Sequence, residues 1–306
     1  MLFANPIAAT LPLDYHRLKQ AADNGVSLIE IQLPAEPYSA AELKEIIQMA
    51  RVTPIAFRVP EKMVLGTSSF QLDEWSRLQE SLADVFTTDT RFVILHGATV
   101  PLGVIFEYLD ARPTDFNALK DFKTEYVERI IDQLNQLAPL AQKWGIQLLI
   151  ENAPMGSESY FEPGRAMIYP ALRTPRHLLQ IAEATDAKLL FDTAHARITS
   201  NVLTYMHRSR SMFAGATETE IRSAASSWVD FYQQVKESVG LVRLSYAISW
   251  GDTPETSHIP FPETAFTELI SFAETVDENV PVTLGTLHRR EHLSNMLETL
   301  HGLKKG

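Results

Sequence analysis

Two apolar runs in this sequence end on an acid. LLFDTAHARI (189–198) carries Asp192 and, three residues later, His195; IQLLIENAP (146–154) carries Glu151. A carboxylate at the end of a buried run is costly to leave bare, so it caps the next helix, pairs with an arginine or ligates a metal. Other polar groups stand at or near the ends of similar runs: Glu30 in SLIEIQL, Arg58 in PIAFRV, His96 in RFVILHG, His258 in the loop DTPETSHIPFPE, and His288 after VPVTLGT. Gathered on one axis, the carboxylates would raise each other's pKa unless a cation neutralised them, and a divalent metal is the simple resolution. The chain has no cysteine, which excludes disulfides and a thiolate site and leaves His, Asp and Glu as ligands, a set suited to Zn, Mn, Fe, Co or Mg. Taken singly, each group has a plainer explanation: Asp192 and Glu151 are evenly balanced between cap and ligand, and a lone His96 is more often a satisfied core or loop histidine. The case for a site rests on the set lying on one face.

The elements that would position this set follow from the pattern of the chain. Eight short β-rich runs occur, at 2–6, 27–33, 54–59, 91–97, 146–152, 187–193, 241–248 and 280–286. They read as continuously apolar, as strands buried on both faces do. Amphipathic stretches separate them: LDYHRLKQAADNG ends on Gly25, SAAELKEIIQMARV opens with a capping-box spacing of Ser39 and Glu42, and FKTEYVERIIDQLNQLAPLAQKWG ends at Gly145. Eight alternations predict an α/β fold, a single (β/α)₈ TIM barrel over 1–306; an open doubly wound sheet shares the pattern, but neither a dinucleotide nor a P-loop glycine motif is present to favour it. Extra length follows the fourth strand (98–118) and the sixth (199–238), on the face where barrels build active sites. The second is expected to be an insertion that covers the site as a lid or forms a contact between copies of the chain in a homo-oligomer. His16, His177, His207 and His301 fall on helical or loop stretches and are expected to be solvated, and His292 to be structural. Arg289 and Arg290 are either a solvated face or an anion contact.

Composition narrows the partners. A formal charge of −11 argues against a nucleic-acid binder, because phosphate contacts need Lys and Arg. No run approaches the ~20 apolar residues of a membrane span, and MLFANPIAATLPLDY lacks the basic and apolar segments of a signal peptide. The expectation is a cytoplasmic protein with a small-molecule partner.

The motifs LHG (95–97), LLIENAP (148–154), FDTAHA (191–196), SHIPF (257–261) and VPVTL (280–284), with NGVSLIEI after the first helix, fall in order along most of the chain. In this they resemble the xylose isomerase-like TIM-barrel superfamily, which includes sugar phosphate isomerases and epimerases, dehydratases and apurinic-site endonucleases. The resemblance implies metal ligation by Glu151 and Asp192, and by His96, His195 and His258 at positions that match endonuclease ligands. Three departures stand against it. The family's strand-seven histidine is replaced by Ser245 or Tyr246 in LSYAIS, and its strand-eight glutamate by Gly285 in VTLGT. The first endonuclease histidine also has no match in FRVPEKM. The implied function is a metal-dependent isomerase, epimerase or lyase acting on a carbohydrate-like or hydroxy-acid substrate, with Glu151, His195, Glu30 and Arg58 as catalytic or substrate-binding groups. Loss of Gly285's expected carboxylate counts against proton shuttling between two carboxylates. A degenerate barrel that binds a small polar ligand without metal, or a metal-dependent oxidase on the same fold, are the alternatives.

Overall fold

A computed structural model describes residues 1–36, 38–156, 166–208, 217–285 and 291–303. Eight parallel strands alternate with helices: β1 Ile7–Pro12, β2 Leu28–Gln32, β3 Thr53–Arg58, β4 Phe92–Gly97, β5 Gln147–Glu151, β6 Lys188–Asp192, β7 Val239–Leu244 and β8 Val282–Gly285. Their order is β3–β2–β1–β8–β7–β6–β5–β4, and pairing of β3 with β4 closes the sheet into a barrel. The chain is a single TIM barrel. No helix among the described residues is long and apolar enough to cross a membrane.

The first strand is displaced from its expected position. It runs over Ile7–Pro12, not 2–6. Pro6 lacks a backbone donor and precedes the first paired residue. Leu2 and Phe3 are instead buried in the outer core, with the Leu2 amide bonded to the Leu300 carbonyl. The helix boundaries fall closer to expectation. Ser39 and Glu42 form the full capping box of the helix Ala40–Ala50, and the helix Ala118–Lys143 stops before Gly145 at φ +63°, a conformation glycine adopts without penalty.

Side chains alternate in and out along each strand, and this period organises the barrel interior. Ala8, Ala56, Ile94, Leu149, Leu190 and Leu241 form an internal apolar plug, with Leu28 packed against it. Two residues further along each of the same strands come Thr10, Arg58, His96, Glu151, Asp192, Arg243 and Glu30. The polar layer is therefore the next tier of the barrel, toward the C-terminal ends of the strands.

His177 departs from expectation: it is buried, on the helix Pro175–Ala184. Lys123, from Ala118–Lys143, is ion-paired with Glu220 on the helix Glu218–Arg222, and His177 Nδ1 lies 4.0 Å from the other Glu220 oxygen. The sequence gives no local sign of this, because the chain returns to Glu220 some forty positions later. Burial, helped by Lys123 and Arg173, pushes the His177 pKa down from 6.5 to about 4. Glu220 is held at about 2 against the opposing effect of burial, chiefly by Lys123 and Arg173. Both values lie below those of the unfolded chain, so the unfolded state binds more protons in acid and stability falls as pH falls. The His177 part is present above pH 6.5 and is lost toward pH 4; the Glu220 part follows between about 4.5 and 2. Urea unfolding should show a loss on the order of 2–3 kcal/mol across the first window from His177, and His177→Asn should flatten that window alone. An unchanged profile in the variant would show that His177 titrates as it does in the unfolded chain.

Candidate functional site

At the centre of the polar tier lies Arg243, on β7 and 1% exposed. It faces three carboxylates that are themselves almost fully buried, Glu30, Glu151 and Asp192. Its Nε donates to both Glu30 oxygens, at 3.1 and 3.3 Å, and Nη2 donates to Glu30 Oε1. Its Nη1 donates to Glu151 Oε1 and, at 3.2 Å, to Asp192 Oδ2. Thr10 completes the Glu30 shell at 2.9 Å, and Arg58 donates through Nε to Glu151 Oε2 at 3.1 Å. Burial alone would raise the Glu151 pKa; Arg243 and Arg58 reverse that and hold it at about 2.

Asp192 serves as both cap and ion-pair partner. Oδ1 accepts from the His195 amide at 3.0 Å, capping the helix Thr193–Arg208, while Oδ2 accepts from Arg243 and faces His258 Nε2 at 3.1 Å. Asn152 locks β5 to β6: its Oδ1 accepts from the Asp192 amide at 2.6 Å, its Nδ2 donates to the Asp192 carbonyl at 3.0 Å, and its own carbonyl lies 2.8 Å from His195 Nδ1. A carbonyl only accepts, so His195 carries its proton on Nδ1 and keeps the Nε2 lone pair. Burial lowers the His195 pKa, which keeps the ring neutral near pH 7, so Arg243 supplies the fixed positive charge beside Asp192. His258 comes from the loop after β7, where Tyr246 and Ile259 exchange backbone bonds. It is held at φ +52°, and its Nδ1 lies 2.8 Å from Ser257 Oγ. The two imidazoles stand edge to face with centroids 5.0 Å apart.

His96 ends β4, with Nε2 3.4 Å from the Glu61 carbonyl and Nδ1 buried without a protein partner among the described residues. Burial and then Arg58 lower its pKa. Ser245 Oγ, just past β7, is likewise buried and unpartnered. Glu30, expected to move protons, is instead enclosed by Arg243 and Thr10. Arg58 spends its Nε on Glu151. His288, Arg289 and Arg290 lie outside the described residues. Sequence reasoning missed Arg243, although two signals marked it: a charge inside the apolar run LVRL, and the same inward parity as Glu151 and Asp192.

A family profile described as xylose isomerase-like TIM barrel matches residues 18–210, more than half of the chain. The chain belongs to this family. No curated protein matches it by sequence. Solved structures share its fold at low identity. A D-tagatose 3-epimerase-like protein superposes with TM-score 0.60 at 14% identity, covering 97% of this chain and 98% of that one. The 3-keto-D-glucoside 4-epimerase YcjR from E. coli, in its apo form, gives 0.55 at 12%, covering 97% and 98%. The IolI protein with a bound zinc atom gives 0.57 at 12%, covering 95% and 96%.

Asp192, His195 and His258 each place one donor atom within 4.8 Å of the others and form a candidate metal triad. Two imidazoles and a carboxylate are suitable donors for a three-ligand site. Their charge and bonding do not fit a resident divalent ion. Both Asp192 oxygens are already engaged, one by a backbone amide and the other by Arg243 and His258. Glu151 is bonded by two arginines, with its Oε1 also 3.6 Å from His195 Nδ1. Removing the Asn152 clamp should be costly: Asn152→Ala leaves the buried Asp192 amide unpaired and should lower stability by roughly 2–3 kcal/mol in urea unfolding. A loss under ~0.5 kcal/mol, the size of an ordinary surface substitution, would show that the clamp does not hold β6.

Proposed function

We propose that the chain is a small-molecule barrel enzyme of the isomerase, epimerase or lyase kind, acting at this site on a sugar-like or hydroxy-acid substrate. What carries the reading is the set of polar atoms left unpartnered at the strand ends. His96 Nδ1 and Ser245 Oγ are buried without protein hydrogen bonds among the described residues, and His195 keeps a free Nε2 lone pair. Leaving buried polar atoms unpaired costs about 1–3 kcal/mol each, and a ligand bearing several hydroxyls would satisfy them. Neutral imidazole lone pairs accept from hydroxyl groups, and Ser245 both donates and accepts. Arg58 is only half-buried, and its terminal nitrogens suit a carboxylate. The epimerase names of the structural neighbours are consistent with this substrate class.

For chemistry, His195 is the best-placed proton acceptor: its tautomer is fixed by Asn152, and one of its ring nitrogens lies within 4.8 Å of the Asp192 and His258 donor atoms. A divalent ion, if one were taken up (Zn, Mn, Fe, Co or Mg), would have to use Asp192, His195 and His258. A second reading, a barrel that binds its ligand without turning it over, is favoured by the arginines that tie down Glu151 and Asp192. Hexoses, ketohexoses, glycolate and malate should be screened by ligand-observed NMR, and turnover followed by solvent deuterium exchange at the carbon next to the carbonyl. A binder should appear in one of these classes. His195→Gln should reduce exchange by roughly 10²-fold or more while binding weakens far less. Binding without exchange in the wild type supports the second reading; absence of any binder from both classes rejects both.

A further inference from the structure

We propose that Arg243, seated in space opened by Gly285, is the built-in cation of this site, and that the site takes its ligand without a divalent metal. The inference rests on the same site as the reading above but not on its substrate class.

The charge balance comes first. Glu30, Glu151 and Asp192 bring three negative charges into the barrel, and one guanidinium reaches all three. Arg58 adds a second positive charge at Glu151. The tier is thereby neutralised to within a single charge, from protein groups alone. A divalent ion on the Asp192, His195 and His258 donors would bond within ~2.2 Å of a carboxylate oxygen whose neighbour at 3.2 Å is already Arg243 Nη1. Two cations would then share one oxygen of the buried Asp192, where repulsion is weakly screened.

Shape is the second, independent observation. A Cβ at position 285 would lie 3.1 Å from Ser245 Oγ, 3.2 Å from Arg243 Cγ and 3.3 Å from Arg243 Cδ. Those contacts are tighter than ordinary packing, and any longer side chain at 285 would take the volume through which Arg243 passes. Arg243 is paired with Thr283 on the adjacent strand, and its stem leans past Gly285, two residues further along β8. Glycine at the end of β8 thus removes a side chain and admits the arginine stem in one change.

The test begins with the wild-type chain, treated with chelator and titrated with Co²⁺ and then Zn²⁺. Expected are no tetrahedral cobalt absorption and no equivalent of zinc retained after dialysis. One retained equivalent of either ion, lost in Asp192→Asn, would overturn the proposal. The converse arm is the double variant Arg243→Gln/Gly285→Glu, which removes the internal cation and adds a carboxylate. It should bind Zn²⁺ ~100-fold or more tighter than wild type, as direct binding or as zinc-dependent recovery of the native circular dichroism. Zinc affinity no better than wild type in a folded double variant counts against the proposal; if that variant does not fold with or without zinc, the wild-type result decides alone. Hexose or hydroxy-acid binding by the chelator-treated wild type separates the two readings: metal uptake together with ligand binding rejects this inference and keeps the proposed function, whereas neither metal nor ligand binding rejects the function and keeps the inference.

Discussion

Three ionised carboxylates inside a barrel cannot stand without a counter-charge. Bringing even one into a low-dielectric interior costs several kcal/mol after relaxation, and Glu30, Glu151 and Asp192 come from three different strands, β2, β5 and β6. Arg243 meets all three from β7, with its planar fork bonded on two sides. The guanidinium therefore ties strands on opposite sides of the barrel mouth to one another. The orientation of the outer groups depends on this link. With Asp192 fixed, its Oδ1 caps the following helix and sets His195, and its Oδ2 draws in His258. With Glu151 fixed, Arg58 is held by Nε.

This arrangement also explains why the tier is polar at all. Beneath it, Ala56, Ile94, Leu149, Leu190 and Leu241 fill the barrel as a dry plug. The strand period places the next inward residue of each strand where the apolar plug ends and the loops begin. At that level a polar side chain is tolerated only if it is paired or can meet a ligand. Glu30 and Thr10 are fully paired; His96 Nδ1 and Ser245 Oγ are not. The paired groups make a rigid floor, and the unpaired ones mark where something outside the protein would complete the hydrogen bonding.

Much of this was legible in the residues. Eight continuous apolar runs separated by amphipathic stretches, with no dinucleotide or P-loop glycine motif, point to a barrel over an open sheet, and the Ser39–Glu42 spacing specifies a helix start that the structure contains. The acids of LLIEN and LLFDTAH do arrive together. What one-dimensional reading could not settle was their partner. A cap, an arginine and a metal each satisfy a strand-end carboxylate, and Asp192 uses the first two at once. Gly285 reads as the loss of a ligand; only in three dimensions is it the gain of a volume. The displaced first strand and the burial of His177 have a similar origin: Leu2 docks beside Leu300 and His177 beside Glu220, contacts made between residues far apart in the chain.

A guanidinium is not a small metal ion. It keeps its protons, donates them in a fixed plane and offers no vacant coordination position. It cannot draw two substrate hydroxyls into an inner shell or lower the pKa of a bound water as zinc does. What it can do is fix the field: three carboxylates are held in ion pairs, and His195 beside them keeps a defined tautomer. In the proposed function, recognition falls to the lone pairs of His96 and His195, the Ser245 hydroxyl and the Arg58 nitrogens not bonded to Glu151. These groups bond hydroxyls and carboxylates one at a time, by direction more than by charge. A barrel built this way discriminates through the placement of hydrogen bonds, and any proton transfer in it must run through an imidazole, because the carboxylates that would otherwise serve are held by arginine.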